Sequence, residues 1–242
     1  MQWRDEGIVL SARPHGENAA VVTLLTRGQG RHAGLVRGAR GRRGRGLYQP
    51  GNLVAADWRG RLADHLGSYT CELVEGYAAR VLDDADRLAA LSAAAAVSDT
   101  ALPEREPHGA CFDGFRALLD AMSGPHWAEV YVRWELALLA ELGFGLDLSA
   151  CAGGGDNDRL AYVSPRSGRA VSLAAGEPYR NKLLALPGFL VGRGDGGVAE
   201  VGQGLALTGF FLERHVFAPH HKSPPAARAR LAMRFPPPGL GS

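Results

Sequence analysis

Acidic residues are missing from one long stretch of this chain. Between Glu17 and Asp57 there is no aspartate or glutamate, and seven arginines stand there instead: Arg27, Arg31, Arg37, Arg40, Arg42, Arg43 and Arg45. Lysine is almost absent from the whole sequence, with only Lys182 and Lys222 among its 27 basic residues. That absence excludes a Walker-type phosphate loop, which needs a lysine and a hydroxyl residue after its glycines. Cysteine is scarce too: Cys71, Cys111 and Cys151 stand singly, which excludes a disulfide framework and a complete zinc site. No window approaches the ~18 uninterrupted apolar residues of a membrane-spanning helix. Met1 to Gly7 lacks the basic-then-apolar pattern of a secretory signal, so a cytoplasmic location is expected.

The 242 residues, 46% of them hydrophobic, suffice for buried cores, and the net charge is only +2. The arginine-rich stretch is therefore offset elsewhere, and charge is segregated along the chain. Its tightest part, from Arg37 to Gly46, sets five guanidinium groups among small, flexible residues with no acid beside them. Such a segment is expected to bind a polyanion, with Arg37, Arg40, Arg42, Arg43 and Arg45 on phosphates. Arg31, Arg59 and Arg61 are second-rank candidates. Tyr48 and Trp58 are candidate base-stacking faces, a buried place in a small barrel being the other reading of both.

From Gly7 to about Glu75 the chain reads as short strands between glycine-rich turns: Gly7 to Ser11, Ala19 to Thr26, Arg31 to Arg37, Asn52 to Trp58 and Leu66 to Val74. Pro14 to Asn18 reads as a turn, and the arginine–glycine segment as a flexible loop between the third and fourth strands. Five short strands point to a small OB-like barrel. After Tyr77, alanine and leucine at helical spacing predict helices over Asp83 to Ala101, His108 to Met122, Pro125 to Leu142, Ala199 to Phe217 and Pro225 to Arg234. Gly143 to Pro178 reads as irregular. The expected class is α+β: an OB-fold barrel over 1–78, a helical domain over 79–235 with an irregular insertion at about 144–178, and a disordered tail over 236–242.

Nothing in the sequence seats catalysis. Gly-x-Ser-x-Gly is absent, and Gly192 to Gly197 reads as a turn. His215, His220 and His221 cluster, but their spacing does not suit one helical face, so no metal and no cofactor is expected. Arg133 stands beside Trp127, Tyr131 and Trp134 on an otherwise apolar helix; Arg133 and Trp134 are candidates for docking an acidic peptide that ends in a hydrophobic residue. An OB-fold RNA-binding protein in RNA maturation is an alternative.

Several strings, taken in order, resemble the RecO family of bacterial recombination mediators. They are Gly7 to Leu10, Gly16 to Ala19, Leu35 to Arg40, Tyr48 to Asn52, Glu135 to Gly143, Tyr162 to Gly168 and Pro224 to Leu231. The resemblance implies an N-terminal OB fold, a helical C-terminal domain and a small insertion that in some members is a four-cysteine zinc module. It implies binding of single- and double-stranded DNA, annealing of complementary strands, and partnership with RecR. It further implies loading of recombinase onto DNA coated by single-stranded-DNA-binding protein, whose acidic C-terminal tail docks on the helical domain, at the nucleoid and without catalysis. At the four zinc positions this chain has Cys151, Gly154, Ser172 and Ala175, so a degenerate, metal-free zinc-finger-like insertion is expected.

Overall fold

The computed structural model describes residues 1–154, 159–194 and 196–237. Clustering of contacts divides the chain into two compact units, Met1–Ser123 with Pro225–Arg228, and Gly124–Pro224 with the chain from Ala229 onward. The tail expected over 236–242 lies, from 238 on, outside the described residues, as do 155–158 of the insertion.

In the first unit, strands β1 (Gln2–His15), β2 (Ala19–Thr26), β3 (Gly30–Val36), β4 (Leu53–Arg59) and β5 (Ser68–Glu75) close into a ring of order β1-β2-β3-β5-β4. The first strand makes the closure. Its early residues pair with β4, Gln2 opposite Arg59 through Ile8 opposite Leu53, and its later ones pair with β2 as far as His15 opposite Ala19. A bulge between Val9 and Ser11 accommodates the change of partner. Strand β3 meets β5 in parallel at Leu35 and Ser68.

Strand β1 is much longer than the Gly7 to Ser11 segment expected, because its flanks alternate polar residues that a hydrophobic pattern does not register. Pro14 belongs to it, and the turn shrinks to three residues. Ile8 and Val9 are both fully buried although they point to opposite faces. Val9 fills the ring with Val22, Leu24, Val54, Ala56 and Trp58. Outside, β1 and β2 are covered by α3 (Ala85–Ala101), whose buried alanines let backbones approach. Asp84 caps α3 by accepting from the Asp86 and Arg87 amides, both at 3.0 Å. Two more helices, α2 (Tyr77–Arg80) and α4 (Gly109–Ala121), complete this part of the chain. Between β3 and β4 stands one helical turn, α1 (Arg42–Leu47), in place of the flexible loop expected.

The second unit holds α5 (Trp127–Glu141), strands β6 (Leu160–Val163), β7 (Ala170–Ser172) and β8 (Leu184–Ala185), the short α6 (Leu173–Gly176), and α7 (Val198–Phe211), which continues as a π-helical turn over Leu212–Phe217. The last helix, α8, runs over Ala226–Arg234. The stretch read as irregular contains β6 and β7, which with β8 beyond it form a three-stranded sheet of order β7-β6-β8, whose strands are too short to show a period. Helix α5 packs on α7, where a Cβ on Gly204 would stand 2.8 Å from Val132. Between them the fully buried Glu135 carboxylate accepts from the Thr208 hydroxyl and, at 3.1 Å, from the Tyr131 hydroxyl.

One end of the ring carries an aromatic cluster around His32, whose Nδ1 lies 2.9 Å from the Tyr69 hydroxyl with Trp3 and Trp58 edge-on to the imidazole. Burial, and then the charge of Arg105, lowers the His32 pKa to about 4. An unfolded histidine takes its proton near 6.5, so between those values the unfolded chain binds the additional proton. His32 therefore contributes stability in full above about pH 6.5 and loses it as pH falls toward 4. Denaturant midpoints measured from pH 7 to 4.5 are expected to fall less steeply in His32→Gln than in wild type. Parallel profiles would contradict this account.

Candidate nucleic-acid interface

The arginine segment is held by its glycines as much as it is loosened by them. Gly38 turns the chain at φ +73 after β3, and Gly44 sits so close to the preceding turn that a Cβ would stand 2.4 Å from the Ala39 carbonyl oxygen. The Asn52 side chain donates to the Gly46 and Leu47 carbonyls at 2.9 and 3.2 Å and accepts from the Ala78 amide, closing the C-terminal end of α1. The Arg40 guanidinium donates to the Gly16 and Glu17 carbonyls, at 3.2 and 3.1 Å, and so ties this segment to the β1–β2 turn.

The outcome is an ordered turn with outward-facing cations. Arg37, Arg40, Arg42, Arg43 and Arg45 are all exposed, and among the described residues none of them pairs with a carboxylate. The other two arginines of the acid-free stretch do find acids, supplied from the helices. Arg27 pairs with Asp113 of α4 at 2.9 Å, while Arg31 meets Asp99 of α3 at 3.3 Å and Glu104 at 3.6 Å and donates to the Leu102 carbonyl. Arg31 is thus a half-buried structural cation, which corrects its candidacy for phosphate. Arg59, at the end of β4, and Arg61, in the turn after it, are exposed. Ser68 of β5 pairs with Leu35 of β3 on one side and with Arg59 of β4 on the other.

The candidacy of Trp58 as a stacking face is corrected as well. Trp58 is 1% exposed, donates its indole N–H to the Leu66 carbonyl, and is enclosed so tightly that a Cβ on Gly60 or Gly67 would come within 2.4 Å of its ring. It fills the ring and offers no face to a base. Tyr48 packs into the same core, with Cys71 against that cluster. Burial pushes the Tyr48 phenol up, and the Cys71 thiol to about 11, so both are neutral at pH 7. The aromatic that sequence reasoning missed is Trp3. It lies half-buried opposite Trp58, ring centres 5.8 Å apart and planes 14° apart, beside a cavity of about 260 Å³ that Arg59 also lines. Only register could have revealed it.

In the second unit, Arg133 donates to the Phe189 carbonyl and lies 5.6 Å from the centre of its ring, while the residue as a whole stays exposed. Trp134 is 5% exposed, with its ring against Tyr131, and belongs to the core; its candidacy as a docking residue is corrected. His215 stacks with Phe144 and Phe211. Among the described residues no group of three His, Cys, Asp or Glu is placed to hold a metal ion. Of the four positions compared with a zinc module, Cys151, Ser172 and Ala175 lie together, while a Cβ on Gly154 would meet nothing within 4 Å. The Ser172 amide donates to Cys151 Sγ at 3.2 Å, the Ala175 amide to Ser172 Oγ at 3.4 Å, and Gly153 borders both Cys151 and Ala175. One thiol among four such residues does not fit zinc, which needs a full set of N, S or carboxylate ligands.

Comparison with known proteins places this geometry. Two family models match the chain, the Recombination protein O N terminal over residues 1–77 and the Recombination protein O C terminal over residues 82–225. They define a protein of DNA recombination and repair. A DNA repair protein RecO of Rhodospirillum centenum is 62% identical over 237 residues, covering 97% of this chain and 95% of that one. Those of Rhodospirillum rubrum and Caulobacter vibrioides are 53% and 50% identical, covering 97% of this chain and 96% and 98% of their own. The chain belongs to the RecO family, whose members are non-catalytic recombination mediators, and that membership implies DNA binding. Among the described residues no helix is long and apolar enough to cross a membrane.

Proposed function

We propose that the closed ring is an OB-type barrel that binds single- and double-stranded DNA through Arg37, Arg40, Arg42, Arg43 and Arg45, with Arg59 and Arg61 extending the path. The observation that carries this reading is the set of five exposed guanidinium groups without carboxylate partners on an ordered turn. OB folds take nucleic acid over strands 2 and 3 and the loops after strands 1 and 4. Arg40 is bonded to the first of those loops and Arg61 lies in the second. Neutralising backbones without reading bases lets complementary strands approach, which accounts for annealing. Residues 1–78 then serve DNA and 79–235 serve protein partners in the cytoplasm at the nucleoid. In this scheme RecR acts with the chain to load recombinase onto DNA coated by single-stranded-DNA-binding protein.

For the acidic tail of that coating protein we assign Arg133, whose guanidinium is held by the Phe189 carbonyl and ring and, among the described residues, pairs with no carboxylate. The insertion is stabilised by hydrogen bonds around Cys151 and Ser172 and not by metal.

With about five phosphates neutralised, log affinity for single strands is expected to fall against log salt with a slope near about −3.5. Replacing the five arginines by glutamate should abolish binding, and undiminished binding would remove the site. Anisotropy of a labelled acidic peptide ending in phenylalanine should report at least several-fold weaker binding to Arg133→Glu; an unchanged value would rule that residue out. Elemental analysis of the purified protein is expected to find no stoichiometric zinc.

A further inference from the structure

A cavity of about 600 Å³ lies beside the arginine turn, entirely within the first unit. Its apolar wall is made by Leu10 and Ala12 of β1, Ala20 of β2, Tyr48 and Pro50. Its polar wall is made by Ser11, Asn18 and Gln49, and Ser11 Oγ is buried with no hydrogen-bond partner. Arg40 and Arg45 complete the lining, and Glu17 is the single carboxylate there. The volume falls in the range of about 300–1,000 Å³ that holds small organic groups. Filling it with a purely apolar side chain would leave three polar side chains facing a group that cannot bond them, at a cost. A nucleobase brings both an apolar face and a polar edge, and the phosphates attached to it suit the two arginines.

We propose that this cavity seats one unstacked nucleobase of the bound strand, with Arg40 and Arg45 on the flanking phosphates. The proposal rests on the DNA-binding reading above and deepens it. The seat is preformed. Arg40 is fixed by the two carbonyls of the β1–β2 turn, and the backbone at Gly44 is locked against Ala39. The bulge at Leu10 turns β1 where it forms the cavity's wall. A strand held this way keeps one base out of its own stacked run, while its neighbours remain available to a complementary strand.

The full-length protein is titrated with an oligo(dT) strand and with an abasic strand of equal length and charge. Seating a base predicts that the oligo(dT) strand binds at least about fivefold tighter. Ala12→Trp, which fills the cavity from an exposed position, is expected to abolish that preference while retaining the affinity for the abasic strand. Pro50→Trp is measured in its place if circular dichroism shows that Ala12→Trp does not fold. In wild type alone, a 2-aminopurine base within the strand is expected to be shielded from acrylamide quenching. Equal binding of the two strands, a preference that survives filling of the cavity, or a fully accessible 2-aminopurine would overturn the seat and leave phosphate binding standing. Binding of neither strand would overturn the DNA-binding reading and the seat together. If an acidic peptide ending in phenylalanine loses binding on Ala12→Trp while the base preference persists, the cavity is a peptide site and the proposal fails.

Discussion

Closure of the five-stranded ring is the constraint on which the first unit depends, and β1 carries it. A strand of 14 residues spans from β4 to β2, and the single parallel pair of Leu35 with Ser68 completes the ring. Closing so few strands leaves an interior that a handful of side chains must fill without gaps. Trp58 occupies one end, and the turn between β4 and β5 carries Gly60 and Gly67 where no side chain would fit against it. The same demand brings Tyr48, just beyond the arginine turn, into the core. The surface that carries the cations is thus anchored from beneath by the packing that fills the ring.

Electrostatics then sorts the arginines. The stretch without acids obtains counter-charge from residues far along the chain: Asp99 serves Arg31 and Arg13, and Asp113 serves Arg27. Those pairs join β1, β2 and β3 to the helices that cover them. An exposed pair such as Arg27 with Asp113 contributes little, but together the pairs decide which guanidinium groups are committed. What remains uncommitted is a compact set on and around α1, next to the cavity of about 600 Å³. The uncommitted guanidinium groups and that cavity therefore belong to one piece of backbone.

Much of this was legible in the chain. Apolar runs between glycine turns marked the five strands, and the boundaries of β2 agree residue for residue; α3, α4 and α5 begin and end within two residues of their expected limits. Short or polar elements were not legible. The opening of β1 alternates charged residues, β6 to β8 are only two to four residues long, and α1 is a single turn rich in glycine. Hydrophobic periodicity needs several repeats on a partly buried face, and none of these supplies them.

Residue types and their spacing by themselves determined the segregation of charge and the order of strands before helices. Only the tertiary structure decided which arginines are free for phosphate, because ion pairs such as Arg31 with Asp99 join residues distant in sequence. It alone turned Trp58 and Tyr48 inward and set Trp3 against Trp58, since alternation along a strand says which residues share a face but not which face is the inside. And it alone made a cavity, which exists only once β1, β2 and the arginine turn are brought together by closure of the ring.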